Sequence, residues 1–234
     1  SQALDDRLLH QDLPRRGVNH VEGGIGALAD TLVDWIRANG GEVLFRQKVE
    51  KIHVKNGAAT AVTTNKDLHL EADNVVANLT PWALADVLGD DTPRALEREV
   101  QQRDATWGAF TLYLGARRDQ LPADLIGHHQ VIVDHTQPLG EGNSVFISLA
   151  DAEDESRAPD GYVPITMSTH TEIAPWWQLR NSDSEAAYLE RREQYTEKML
   201  AAAETAVPGL RHSAELIKPG TPVTSEFYTR RPGG

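Results

Sequence analysis

Gly24-Ile25-Gly26-Ala27-Leu28-Ala29 is the string in this sequence whose residue types and spacing offer the most direct chemistry. A GxGxxA run that opens a helix gathers main-chain N–H groups at one point, where a pyrophosphate can sit. Val43-Leu44-Phe45 follows as a short strand, and Arg46 stands near its end where a ribose-binding acid would otherwise be. Pattern alone therefore admits an NADP-binding βαβ unit, with Arg46 meeting a 2′-phosphate. Against it, residues 18–22 are too polar for a buried parallel strand. The other reading of the same glycines is packing: without a Cβ, a helix start can approach a neighbour closely.

Other reactive constellations are thin. His128, His129, Asp134 and His135 lie close together, but adjacent histidines point to opposite faces of a strand, and no HExxH or His-x-His spacing fixes two nitrogens on one face. No metal site is expected. The chain has no cysteine, which removes disulfides, thiolate catalysis and iron–sulfur ligation. There is no GxSxG elbow. No side chain stands out as a catalytic acid, base or nucleophile. Trp176-Trp177 either lines an apolar ligand cavity or anchors a core.

The elements that must carry these residues follow from periodicity. Leu28, Leu32, Trp35 and Ile36 recur at helical spacing until Asn39-Gly40-Gly41 stops the helix. Residues 49–54 and 58–64, joined by Lys55-Asn56-Gly57-Ala58, read as a hairpin, and 68–70 closes a small antiparallel meander. Residues 75–79 read as an apolar strand ended by Thr80-Pro81, with helices over 82–88 and 93–102. Near residue 105 the texture changes. Strands over 110–114, 131–134, 145–149 and 163–169 suggest a second, larger sheet. Asp151-Ala152-Glu153-Asp154-Glu155 reads as an acidic surface loop. Ser182 and Glu185 form a capping box for a helix whose Tyr188, Tyr195, Met199, Ala202 and Ala206 make one stripe. The fold class is α+β, or mixed α/β.

With 234 residues the chain can bury a substantial core. Its 23 Lys and Arg against 35 Asp and Glu, a net charge of −12, argue against nucleic acid as a partner. Neither a signal peptide nor a membrane span is expected, which points to a cytoplasmic protein.

Taken in order, these words form a longer pattern. Residues 22–32, then Gly40-Gly41-Glu42-Val43, then Lys48-Val49-Glu50-Lys51-Ile52, resemble the carotenoid (phytoene) desaturase and isomerase family of FAD-dependent oxidoreductases. The resemblance continues through Val75-Val76-Ala77-Asn78 with Pro81, Phe110-Thr111-Leu112-Tyr113-Leu114-Gly115, Ala158-Pro159-Asp160-Gly161, Val207-Pro208-Gly209-Leu210 and Gly220-Thr221-Pro222. Thr224 to Phe227, Tyr228 and Arg231-Pro232-Gly233-Gly234 match the family's approach to the flavin. Ser168-Thr169-His170-Thr171 with Trp176-Trp177 leans towards the 3,4-desaturase and ketolase branch.

The resemblance implies a fragment. It lacks the family's N-terminal GxGxxG unit and its closing C-terminal segment, so residues 1–82 would be part of the FAD-binding region, 83–222 the substrate domain, and 223–234 a truncated return towards the flavin. The substrate domain would be a mixed or antiparallel sheet covered by helices. The cofactor implied is FAD, contacted near Gly23, Gly24, Val49, Asn78, Pro81, Gly233 and Gly234, and not held tightly by this stretch alone. The Val49 strand would meet the adenine through main-chain hydrogen bonds. The substrate implied is an apolar isoprenoid polyene, with Phe110, Tyr113, Trp176 and Trp177 as tunnel-lining residues, and hydride passing to the flavin. A peripheral membrane contact in the parent is left open. Two rivals stand beside this reading: a free-standing apolar-ligand carrier without redox activity, and the NADP-binding domain using Gly24 to Ala29 with Arg46.

Overall fold

A computed structural model of the chain describes residues 21, 23–102, 107–150, 155–182 and 184–234. The order of elements is α1 (Ile25–Ala38), β1 (Val49–Lys55), β2 (Ala58–Thr64), β3 (His69–Glu71), α2 (Pro81–Leu88), α3 (Arg94–Gln102), β4 (Trp107–Arg117), β5 (His128–Ile132), β6 (Ser144–Leu149), β7 (Tyr162–Glu172), α4 (Ala174–Asn181), α5 (Glu185–Ala203), α6 (Leu210–Ser213), β8 (Ala214–Gly220) and α7 (Pro222–Thr229). The strands form a three-stranded sheet, β1-β2-β3, and a five-stranded sheet, β5-β6-β7-β4-β8. The expected α+β class with two sheets is what the chain adopts. It divides into two compact units, one of residues 1–41, 112–168 and 197–218, the other of 42–111, 169–196 and 219–234.

In the second unit the β1–β2 hairpin turns at Asn56 and Gly57, both with left-handed φ (54° and 79°), the conformation that an Asn-Gly pair adopts most readily. The pairing is antiparallel with irregularities after Val49 and His53, and β3 adds to β2 through Val62 opposite Leu70. Ile52, Ala61 and Thr64 are its buried positions. Thr80 starts α2 by accepting the Ala83 N–H at 3.4 Å, with Pro81 at the position where a missing N–H costs nothing.

The first unit's core is built on period-two alternation. Leu112, Leu114 and Ala116 of β4 are buried, as are Val163, Ile165 and Met167 of β7. On β6, Ile147 faces Met167 and Leu149 faces Ile165 across the antiparallel ladder. Burying side chains of this size contributes about 1.5–3 kcal/mol each. Of the stripe expected for α5, Tyr195, Met199 and Ala202 are buried, joined by Leu200 and Ala203, while Tyr188 is half-buried and Ala206 lies beyond the helix.

Several expected boundaries move. The strand expected at 131–134 is β5, His128–Ile132. It ends before Asp134 because that carboxylate accepts both the Thr136 N–H (2.8 Å) and its hydroxyl (2.7 Å), turning the chain. Buried Asn143 then draws the loop together, accepting the Asp134 N–H at 2.8 Å and donating to the Asp134, Gln137 and Pro138 carbonyls. Ser182 is not the N-cap of α5. Its hydroxyl donates to the Leu179 carbonyl at 2.8 Å, at the end of α4, while Ser184 accepts the Ala187 N–H at 3.3 Å. Residues 43–45 and 75–79, read as strands, belong to no sheet among the described residues. Arg46 lies in a left-handed turn (φ 58°), so the second strand of a βαβ unit is not formed and the NADP reading loses its frame. The acidic stretch at 151–154 lies outside the described residues.

Candidate cofactor and substrate site

Gly23 and Gly24, with φ of 73° and 80°, make the turn into α1 in the first unit. Gly24 is the N-cap and makes no side-chain cap, and the first turn carries no acidic residue, so the positive end of the helix dipole is not offset by its own side chains. The turn also packs closely. A Cβ on Gly24 would lie 2.4 Å from Nη1 of Arg157, a residue far away in sequence that no local spacing identifies. A tight glycine turn at a helix N-terminus, with a guanidinium beside it, fits an electronegative part of a cofactor.

Val49 begins β1 in the second unit. It pairs with Thr64, and no strand covers the outer edge of β1 among the described residues. Its entry is fixed by Asn65, whose Oδ1 accepts the Lys48 N–H at 3.0 Å, and by Thr64 donating to Gln47 Oε1 at 2.8 Å. An open strand edge offers alternating main-chain donors and acceptors, which fits main-chain recognition of a nucleobase. Asn78 is exposed in the extended, unpaired segment before α2, where Val76 is 96% exposed. Pro81 opens that helix.

The aromatic residues separate. Phe110 and Trp176 are fully buried and stack with ring centroids 5.5 Å apart, and Tyr195 lies 5.2 Å and 5.1 Å from the two rings. The Arg191 guanidinium sits over Trp176 at 4.9 Å and over Tyr195 at 5.1 Å. Hydrogen bonds tie the cluster together: Trp176 Nε1 donates to Thr171 Oγ1 at 3.0 Å, that hydroxyl shares a 3.2 Å hydrogen bond with Tyr195, and Arg191 Nη2 donates to the Tyr195 oxygen at 3.1 Å. Trp177 is half-buried, and its Nε1 donates to the Gly233 carbonyl at 3.2 Å. The structure thus brings Phe110 to Trp176 and Trp177 to Gly233. Tyr113 belongs to the other unit and is more than half exposed. Sequence reading missed Arg157 and Arg191, and took in Thr171 and Glu226 only as parts of longer matching runs. Tyr195 entered only as one member of a helical stripe.

No group of three His, Asp or Glu able to hold a metal occurs among the described residues. No helix among them is long and apolar enough to cross a membrane.

Comparison with known proteins shows what the chain is similar to. The family described as flavin containing amine oxidoreductase matches residues 5–212. Prolycopene isomerase, chloroplastic, of Daucus carota is 28% identical over 93% of this chain and 35% of its own length. Phytoene desaturase (lycopene-forming) of Paracoccus sp. is 28% identical over 92% of this chain and 44% of its own length. The crystal structure of an oxidoreductase from Methanosarcina mazei superposes with a TM-score of 0.59 at 23% identity, covering 85% of this chain and 42% of that one, a likeness of fold. The chain spans about a third of the length of the first curated relatives it matches, 35% and 37%.

Proposed function

We propose that this chain, which belongs to the flavin containing amine oxidoreductase family, is part of an FAD-dependent oxidoreductase acting on a carotenoid-like isoprenoid polyene, by desaturation or a related redox or isomerisation step. The observation that carries this reading is the extent of the match: two relatives named for polyene substrates align with 93% and 92% of the chain. In this reading residues 1–82 contribute to the FAD-binding region, 83–222 to the substrate domain, and 223–234 return towards the flavin.

FAD, when bound, supplies the acceptor for the hydride or electrons taken from the polyene. The chain's own residues bind and orient. The Gly23-Gly24 turn brings the N-terminus of α1, whose dipole no acidic side chain of its first turn offsets, to an electronegative part of the cofactor. Val49 offers main-chain groups at the open edge of β1 to the adenine. Asn78 and Pro81 border the cofactor cleft, and Gly233 and Gly234 approach the flavin without side chains. On the substrate side, Tyr113 is more than half exposed in its unit, while in the other unit Trp177 is half-buried beside the buried Phe110 and Trp176. Apolar walls exclude water, which a polyene needs as much as the flavin does. The reading includes a cytoplasmic location, with a peripheral membrane contact of the parent left open.

The test is to purify the intact native protein and measure flavin absorbance and turnover of a phytoene or prolycopene substrate. The expected result is one FAD per chain and conversion of the polyene. Tight polyene binding by a protein that carries no flavin would overturn the enzyme in favour of an apolar-ligand carrier.

A further inference from the structure

Gly233 is held in an unusual way for a residue outside any helix or strand. Its N–H donates to Glu226 Oε2 at 2.5 Å, and its carbonyl accepts from Trp177 Nε1 at 3.2 Å. The peptide planes on both sides of one glycine are therefore pinned by side chains from two different helices, α7 and α4. Gly234 is confined as well. Its N–H donates to the Arg231 carbonyl at 3.0 Å, its φ is 99°, and a Cβ there would lie 2.0 Å from the Pro222 carbonyl oxygen. Only glycine fits.

The two clamping residues are themselves fixed. Trp177 follows Trp176, which is locked into the Phe110 and Tyr195 stack and hydrogen-bonded to Thr171. Glu226 lies in α7, whose start is capped by Thr221 Oγ1 accepting the Thr224 N–H at 3.4 Å, and Thr221 is bound to Tyr188 at 2.7 Å. Gly108 at the start of β4 closes the third side, with Pro222 and Gly234 within 3.5 Å of where its Cβ would stand. A half-buried glycine pair held this rigidly presents bare main chain in one orientation, which suits close approach to a planar ring and needs no side chain of its own.

We propose that Trp177 and Glu226 are positioning residues that hold Gly233 and Gly234 in the orientation in which they meet the flavin. The proposal rests on the FAD reading above for the identity of what the glycines meet. It changes the role of Trp177 from contact with the polyene alone to support of the cofactor side.

The experiment uses Trp177→Phe, which keeps an aromatic ring and removes the N–H, together with Glu226→Ala and Glu226→Gln, the last keeping an acceptor. Amide exchange at Gly233 in this 234-residue chain is expected to quicken about tenfold in Glu226→Ala and to return towards wild type in Glu226→Gln. In the intact native protein, FAD affinity is expected to weaken about tenfold in Trp177→Phe and Glu226→Ala, with a shifted flavin absorbance band, and Glu226→Gln is expected to restore both. Intact wild type that holds FAD, with affinity and spectrum unchanged in both variants, overturns the proposal and leaves the FAD reading standing. Intact wild type that holds no FAD overturns the FAD reading and, with it, the assignment of the clamp to a flavin.

Discussion

Tyr162 donates its phenolic proton to Glu215 Oε2 at 2.5 Å, and the Arg117 guanidinium lies 5.6 Å from its ring while pairing with Asp119 at 3.0 Å. The hydrogen bond to Glu215 is the main reason that the phenol is held above its ordinary range, with burial adding to it and Arg117 opposing. A group whose pKa is raised in the folded state stabilises the fold below its unfolded value, and that contribution is lost as pH rises through the folded value. Replacing Glu215 with Ala should therefore lower the titration midpoint of Tyr162, and the alkaline end of the stability profile should flatten. Absorbance at the phenolate band, read as the difference from Tyr162→Phe, checks this. An unchanged midpoint would mean that Glu215 does not hold the phenol in solution. Asp119 moves the opposite way, lowered first by its hydrogen bond from Arg117, and its contribution is lost as pH falls through the folded value.

Among the elements, the correction at the start of α5 gives a direct comparison. Ser184→Ala should lower stability by about 1 kcal/mol, the usual value of a serine N-cap. Ser182→Ala should cost less, because its hydroxyl bonds the Leu179 carbonyl at the end of α4 and accepts only the Ser184 N–H ahead of α5. Urea midpoints of the two variants separate these cases, and a larger loss at Ser182 would restore the capping box read from spacing. How far the elements were legible follows the same physics. Asn56-Gly57 fixed its hairpin because both residues must take left-handed φ. Residues 43–45 and 75–79 have strand composition, but a strand exists only through its neighbour, and apolar content does not say which neighbour. The site was less legible than the fold. The main-chain recognition proposed at Gly23, Val49 and Gly233 would leave no side-chain signature, and Arg157 comes up against Gly24 through tertiary proximity that no local spacing encodes.

At the scale of the whole molecule, apolar surface is conspicuous. Ile25, Leu28, Leu32, Trp35 and Ile36 form one exposed stripe along α1, with Trp35 65% exposed. Phe45 and Val76 are exposed as well. Contiguous apolar surface of this kind drives association in water. The 234-residue chain should self-associate at micromolar concentration, and Leu32→Glu with Trp35→Glu should reduce the oligomer without lowering the thermal midpoint, since neither side chain is in the core. Light scattering coupled to size exclusion decides it. A monomeric wild type would show that the stripe is already covered.

The order of the large sheet, β5-β6-β7-β4-β8, also sets a timetable. The meander closes between residues 49 and 71, through short loops, whereas β4 is the first strand of its sheet to be made and lies between β7 and β8, the last two. On a ribosome the meander can form as soon as it emerges, but one edge of β4 waits for β7 until residue 172 and the other for β8 until residue 220. High contact order of this kind slows folding and leaves hydrogen-bonding edges open to wrong partners. Refolding should show a fast phase from the meander and a slow one from the large sheet, and chaperone protection would matter most for the nascent chain between those two events.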